Sequence, residues 1–198
     1  MENKNTRILA EYIKQISLGY IFLYFNINLG TLNIMPDWLG MIFIIRSIPA
    51  IAQYEPSAQL LKIPATLLAL WEGFEWIAKL FGMNSAYGFL GWGSEIISII
   101  IGVLSIYFHF QLLTNLADIA GTFGLEERRK SLLKARTINT VLQTILALIT
   151  IAPDLQIATA ALVLAVINLI VLVIIFLHIR SFAQEVAHIA EKEKSTGN

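Results

Sequence analysis

The chain has 198 residues, of which 57% are hydrophobic and 14% charged, and its formal net charge is zero. A soluble domain usually has about 25% charged residues, so the composition argues against a soluble fold. The zero net charge gives no indication of a nucleic-acid partner, and the absence of cysteine excludes disulfides, thiolate metal sites and cysteine catalysis. Apolar runs of about 20 residues, the length that spans a bilayer core, instead predict an all-α polytopic transmembrane helical bundle.

The first apolar run covers residues 16–35 and follows a short basic segment. We expect an uncleaved membrane span there, because the run is too long for a signal peptide and lacks a small-residue cleavage site. Pro36 cannot continue the helix, and Asp37 is placed to cap the next one. Further spans are predicted at residues 38–52, 63–82, 87–112, 137–152 and 155–179, followed by a polar amphipathic tail at 180–198.

The positions of lysine and arginine predict that both termini are cytoplasmic. Basic residues collect in the N-terminal segment, in the 113–136 connection and in the tail. The turns near Asp37, Asn84 and Asp154 have none. Six spans with the N-terminus and the C-terminus inside satisfy this distribution.

A faint internal similarity suggests repeated two-helix hairpins. Residues 116–120 resemble residues 186–190, and at the same offset Asn84 aligns with Asp154. Parallel repeats of this kind occur in transporters. Apolar helices of similar length also resemble one another without being repeats, so both interpretations stay open.

Ionisable residues inside the predicted spans form the candidate site, because a charge in hydrocarbon is costly. At about 1.5 Å per residue, Arg46, Glu75 and Glu95 lie roughly 10–12 Å below the outer turns, with Glu72 one turn deeper. Crowded carboxylates around one arginine would not all stay ionised, which suits a proton-coupled or cation site. The alternative is a structural clasp, in which Arg46 pairs with one glutamate and Glu75 with Lys79.

Aromatic residues are expected to surround these acids, and the candidates are Trp71, Trp76 and Trp92. Aromatic faces beside a carboxylate favour an organic cation, although aromatic residues also anchor helices at membrane interfaces. A small-molecule or cation ligand follows from the first interpretation, with the lipid bilayer as the surrounding partner. Protein partners and oligomeric state are not predicted.

Enzymatic motifs are absent from the sequence. It contains no P-loop, dinucleotide fingerprint, Gly-x-Ser-x-Gly or His-Glu-x-x-His pattern, which predicts no catalytic residues, no cofactor and no metal. His109 and His178 are expected near the inner ends of their spans. His109 is roughly 21 Å along one helix from Glu95, so the two are not expected to share a metal ion.

The first predicted hairpin resembles a known group of proteins. Residues 26–30 (Asn-Ile-Asn-Leu-Gly) and 33–40 (Asn-Ile-Met-Pro-Asp-Trp-Leu-Gly) resemble a segment of uncharacterised small multi-pass bacterial membrane proteins with no assigned activity. The resemblance implies a bacterial cytoplasmic membrane. Size and span number also resemble the substrate-binding components of energy-coupling-factor vitamin transporters, which have an outward-facing pocket. Those components have an Ala-x-x-x-Ala face on span one, whereas here such a face (Ala158, Ala161, Ala165) is on span six.

Two hypotheses follow. A small-solute transporter, or a component of one, predicts a water-accessible cavity near the glutamates and loss of binding on Glu75→Gln. A non-catalytic membrane scaffold or regulatory subunit predicts no cavity. In the second case Arg46→Ala lowers stability, because it leaves a buried carboxylate without its partner.

Overall fold

Six α-helices make up most of the described chain. The structure is a computed structural model, and it describes residues 2–24, 28–29, 32–33, 35–83, 85, 93–151 and 158–196. The helices are α1 (Glu2–Tyr24), α2 (Asp37–Ile51), α3 (Lys62–Leu80), α4 (Ser94–Thr122), α5 (Glu126–Ile151) and α6 (Ala158–Thr196). A 3-10 helix (Pro56–Leu61) precedes α3, and a ladder pairs Asn28–Leu29 antiparallel with Leu32–Asn33. The predicted all-α class is confirmed.

The N-terminal hairpin differs from its prediction. The helix expected over residues 16–35 instead runs over residues 2–24, and a two-residue antiparallel ladder follows it. Asparagine and glycine favour turns over helix, and residues 25–35 contain three asparagines and one glycine. Helix α2 and helix α3 agree with the predicted 38–52 and 63–82 to within two residues at each end.

The later helices are longer than the predicted spans. Helix α4 continues to Thr122, α5 begins at Glu126 instead of residue 137, and α6 continues through the predicted tail to Thr196. The charged residues that were assigned to loops are strong helix formers, so they extend the apolar helices into water. Residues 87–92, at the start of the predicted fourth span, lie outside the described residues.

Among the described residues, three helices are long and apolar enough to cross a membrane by length and composition. They are Ser94–Thr122, Glu126–Ile149 and Leu162–Lys192, within α4, α5 and α6. Helix α2 has 15 residues, which is short for a span of about 20. Helix α3 has 19 residues and is long enough, but it contains four charged residues, Lys62, Glu72, Glu75 and Lys79. The first half of α1 is polar. Six crossings therefore stay a prediction.

Each helix packs against the next in the chain, and α1 also packs extensively against α6, which closes the bundle. The core consists of fully buried apolar side chains such as Ile16 in α1, Ile44 in α2, Phe108 in α4 and Ile175 in α6. Helices α3 and α4 touch much less than α1 and α2 do. This looser contact leaves room for a cavity beside α3.

A bidentate ion pair fixes α5 against α6. Arg128 Nη2 lies 2.6 Å from Glu185 Oε1, and Arg128 Nε donates to Glu185 Oε2 at 3.2 Å. The same guanidinium lies 3.1 Å from His178 Nδ1. Because these residues lie in the polar extensions of both helices, the pair holds the ends of α5 and α6 together outside their apolar segments.

Candidate functional site

A cavity of about 150 Å³ lies between helices α1 to α4. Its polar lining consists of Tyr24 from α1, Asp37 from α2, Glu72 from α3, and Ser105 and His109 from α4. Its remaining lining consists of Leu23, Met41, Leu68, Ile101 and Gly102. Four helices thus each direct at least one polar side chain into one small space.

Helical spacing explains why these side chains share the cavity. Ser105 and His109 are four residues apart in α4, so they lie on one face, one turn from each other. Tyr24 is the last residue of α1 and Asp37 is the first of α2. The two helices pack side by side, so both residues lie at the same end of the pair. Glu72 completes the lining from the neighbouring face of α3.

Two tyrosines of α1 hold the ring of His109. Tyr20 Oη lies 3.0 Å from His109 Nδ1, and Tyr24 Oη lies 2.5 Å from His109 Nε2. Only 2% of His109 is exposed. A neutral imidazole has one N–H donor and one acceptor nitrogen, so one hydroxyl donates to the ring and the other accepts from it. Both nitrogens are satisfied, and the ring orientation is fixed.

A side chain of α5 also lies beside this network. Gln143 is close enough to Tyr24 to act electrostatically on its hydroxyl. The Oε1 atom of Gln143 is buried and has no hydrogen-bond partner among the described residues. The Tyr24–His109 bond therefore joins α1 to α4, with Gln143 of α5 next to it.

The cavity carries more negative than positive charge. The charged residues close enough to act electrostatically on Glu72 are Asp37, Glu75 and Lys79, of which only Lys79 is basic. No lysine or arginine is found among the described residues that line the cavity. Two carboxylates in one small cleft with apolar walls produce a potential that attracts cations.

The four predicted site residues do not meet in this cavity. Glu72 lines it, whereas Arg46 and Glu95 are exposed and do not. Glu75 is buried and accepts a hydrogen bond from Ser85 Oγ at 2.9 Å. Arg46 makes no ion pair with these three described glutamates, because it projects from the outer face of α2. In the structure, Glu72 shares a cavity with Asp37, and Arg46 and Glu95 lie apart from that cavity.

The predicted aromatic surround lies elsewhere. Trp71 contacts Phe74 with ring centroids 6.1 Å apart, and Trp76 contacts Trp38 at 6.3 Å. Neither Trp71 nor Trp76 lines the cavity. Trp92 lies outside the described residues. The aromatic side chains of α3 therefore pack beside helices and on the surface and do not enclose the carboxylates.

Sequence reasoning missed His109, Asp37, Tyr24 and Ser105. His109 was expected near the inner end of a predicted span, and it lies near the middle of α4, which continues to Thr122. Asp37 was interpreted only as a helix cap. The available signal was the i,i+4 pair of tyrosines at 20 and 24, which puts two hydroxyl groups on one face of α1.

The lining does not form a metal site. No group of three histidine, aspartate or glutamate side chains close enough to hold one metal ion occurs in the part of the chain that the structure describes. The cavity offers hydroxyl oxygens and carboxylates from several directions, which suits hydrogen bonding to a small cationic molecule. Neither a protein-family model, nor a curated protein, nor a solved structure matches this chain.

Proposed function

We propose that this chain is a bacterial cytoplasmic-membrane protein that binds a small organic cation in the cavity between α1 and α4. It acts as a transporter or as the solute-binding component of one, and it crosses the bilayer six times with both termini inside. The observation that carries this proposal is the convergence of Asp37 and Glu72 on one cavity of about 150 Å³ beside the His109 network.

A cation relieves the electrostatic cost of this arrangement. Asp37 and Glu72 are both half-buried, so the two carboxylates repel each other in one small space and each loses part of its hydration. A bound ammonium group offsets both effects, and its N–H groups also find acceptors in Ser105 Oγ and the Tyr24 hydroxyl. Both the charge and the hydrogen-bonding capacity of the lining therefore match one ligand class.

The cavity volume limits the ligand to a small one. An engineered cavity of about 150 Å³ in another protein binds benzene, a molecule of six heavy atoms. Sites for drug-sized ligands occupy roughly 300–1,000 Å³. A short alkylamine or a cyclic amine fits the observed space, whereas a vitamin exceeds it in this conformation.

Exposed apolar surface supports the membrane assignment of α3 as well as that of the longer helices. The exposed large hydrophobic residues of α3 include Ile63, Leu67, Leu70, Phe74 and Ile77. An apolar face of this length is not stable in water, and lipid chains are the simplest medium to cover it. Within α6, large residues such as Leu162, Val166 and Ile170 are exposed in the same way.

A non-catalytic membrane scaffold or regulatory subunit is the second candidate function. The saturated hydrogen bonding of His109 favours it, because two tyrosines already satisfy both ring nitrogens without a ligand. This hypothesis predicted no cavity, so it requires that the observed space holds only water while the network joins α1 to α4. The two candidates differ in whether a solute changes stability.

Thermal unfolding of the detergent-purified protein distinguishes the two. We expect a small amine, selected from a panel of alkylamines, cyclic amines and neutral alcohols of equal size, to raise Tm. A ligand at about 100 times its Kd stabilises by roughly 2.7 kcal/mol. Glu72→Gln and Asp37→Asn should abolish the shift, and the matched control Glu95→Gln should retain it because Glu95 is exposed outside the cavity. A panel that leaves Tm unchanged, or alcohols that stabilise as well as amines, would contradict a cation site.

A further inference from the structure

A second polar site lies between α1 and α6. It is a groove of about 240 Å³ lined by Ala10, Glu11, Lys14, Arg180, Ala183, Gln184 and Ala187. Alanines form its floor, so the backbones approach closely while the charged side chains stand at the rim and are exposed. The groove is separate from the solute cavity and shares no lining residue with it.

The two cations of the groove mark a boundary between polar and apolar surface. Lys14 is the last charged residue before the apolar part of α1, and Arg180 is the first charged residue after the apolar run of α6. Because both line one groove, the two boundaries coincide in space. In a membrane-embedded bundle this is the depth of lipid headgroups, where basic side chains contact phosphate.

Exposed leucines lie beyond the cations on the apolar side of the groove, next to its lining. Leu18 is four residues from Lys14 in α1, and Leu177 is three residues from Arg180 in α6, so each leucine lies on the same helix face as its cation. Leu18 is 39% exposed and Leu177 is 52% exposed. A ligand that places a phosphate between the cations can therefore lay an acyl chain over these leucines, which a free phosphate lacks.

Glu11 adds a negative charge on the polar side of the cations. It lies three residues before Lys14, which is about 4.5 Å along the helix axis. A phosphoethanolamine headgroup carries its ammonium two carbons beyond the phosphate, at a comparable distance. Along α1, Leu18, Lys14 and Glu11 would therefore face the acyl chain, the phosphate and the ammonium of such a lipid in that order.

We propose that this groove binds a phosphatidylethanolamine-type phospholipid, with the phosphate between Lys14 and Arg180 and the ammonium at Glu11. The inference shares the membrane embedding of the proposed function but does not involve the solute cavity. A failure of amine binding and a failure of lipid binding are therefore distinguishable.

Native mass spectrometry of the full chain in detergent tests the proposal, with palmitoyl-oleoyl phosphatidylethanolamine, phosphatidylglycerol and phosphatidylcholine as probes. We expect phosphatidylethanolamine to bind most tightly. The double variant Lys14→Gln/Arg180→Gln should weaken its binding about 25-fold, since each basic residue near a lipid phosphate contributes about fivefold. Glu11→Gln should remove the preference over phosphatidylglycerol and leave phosphatidylglycerol binding unchanged or stronger.

Matched controls separate the groove from general surface charge. Lys62→Gln/Lys134→Gln removes two exposed cations from other helices, and Glu191→Gln removes an exposed acid from α6. Equal loss of lipid binding in the two double variants would overturn the site. Equal affinity for phosphatidylethanolamine and phosphatidylglycerol in the wild type would overturn the headgroup assignment. Phosphoethanolamine that competes as well as the whole lipid would overturn the role of the acyl chain.

Discussion

Gly19 and Gly40 bring the backbones of α1 and α2 into direct contact. A Cβ atom on Gly40 would lie 2.5 Å from the carbonyl oxygen of Gly19, and one on Gly19 would lie 2.8 Å from the carbonyl oxygen of Gly40. Further along the same interface, Ser47 Oγ donates to the Tyr12 carbonyl oxygen at 3.1 Å. Small residues that allow such an approach are typical of membrane helix pairs. The contact fixes how the end of α1 meets the start of α2 beside the cavity.

Substitution of either glycine by alanine should therefore destabilise the bundle. Gly40→Ala forces the two backbones apart, because the clashing atom is a carbonyl oxygen that cannot rotate away. We expect the free energy of unfolding to fall by about 1–3 kcal/mol, as for other overpacked sites. Reversible denaturation in mixed detergent micelles measures this change.

Gly73→Ala is the matched control for this prediction. The nearest atom to a Cβ on Gly73 is Trp38 Cβ at 4.0 Å, which is ordinary contact. Alanine favours helix over glycine by up to about 1 kcal/mol, so this variant should be unchanged or more stable. If Gly40→Ala and Gly73→Ala have equal stability, the backbones of α1 and α2 do not touch as described.

Tyr20→Phe should destabilise the protein through His109. Removal of the hydroxyl leaves His109 Nδ1 without the partner that lies 3.0 Å away. A buried polar group that loses its partner costs about 1–3 kcal/mol. Tyr107→Phe is the control, since Tyr107 is 40% exposed and should change the unfolding free energy by less than about 0.5 kcal/mol. Equal effects of the two substitutions in thermal unfolding would show that the tyrosine–histidine bonds contribute no stability.

Periodicity and hydropathy located the helices but not all of their ends. Helices α2 and α3 lie between strong breakers such as Pro36 and Gly82, so their bounds were readable from the sequence. The start of α5 was not, because hydropathy ends a predicted span where charged residues begin, even when those residues are good helix formers. Hydropathy measures transfer into lipid, and it says little about helix that continues into water.

The site was predicted less well than the fold, because depth alone does not give helix rotation. Arg46 and Glu72 were placed at similar depth, but Arg46 lies on the exposed face of α2 and Glu72 on the cavity face of α3. Which face of a helix turns inward depends on its neighbours, and the Gly19–Gly40 contact decides this for α2. In the sequence, the inward face of α2 could have been indicated only by a pair of small residues on neighbouring helices, such as Gly19 and Gly40.

Filling the cavity should block solute binding without unfolding the protein. Ser105 lines the cavity, so Ser105→Leu places added side-chain volume within the 150 Å³ space. We expect the amine-dependent rise in Tm to disappear, while the ligand-free protein keeps a stability close to wild type because the side chain occupies existing space. Ser98→Leu, on the same helix outside the lining, is the control and should retain the ligand response. Retained binding in Ser105→Leu would place the solute elsewhere.

The number of membrane crossings is testable with single cysteines, because the natural chain has none. Three exposed positions report the sides of the membrane. Gln59 lies after α2, Phe81 lies directly after α3, and Ser195 lies at the end of α6. In the six-crossing arrangement, Gln59→Cys and Ser195→Cys lie inside and Phe81→Cys lies outside. An impermeant maleimide added to intact cells should therefore label Phe81→Cys alone, and permeabilisation should expose the other two.

A three-crossing arrangement gives a different pattern. If only α4, α5 and α6 cross the bilayer, residues 59 and 81 lie on the same side, because neither α1 nor α2 nor α3 passes through it. Gln59→Cys and Phe81→Cys would then behave alike, both reacting in intact cells or both reacting only after permeabilisation, and Ser195→Cys would behave in the opposite way. This outcome would leave α1 to α3 at one membrane surface and open the cavity of Glu72 to water there. Whether residues 59 and 81 label on the same side therefore decides whether the carboxylates of the candidate site lie within the bilayer.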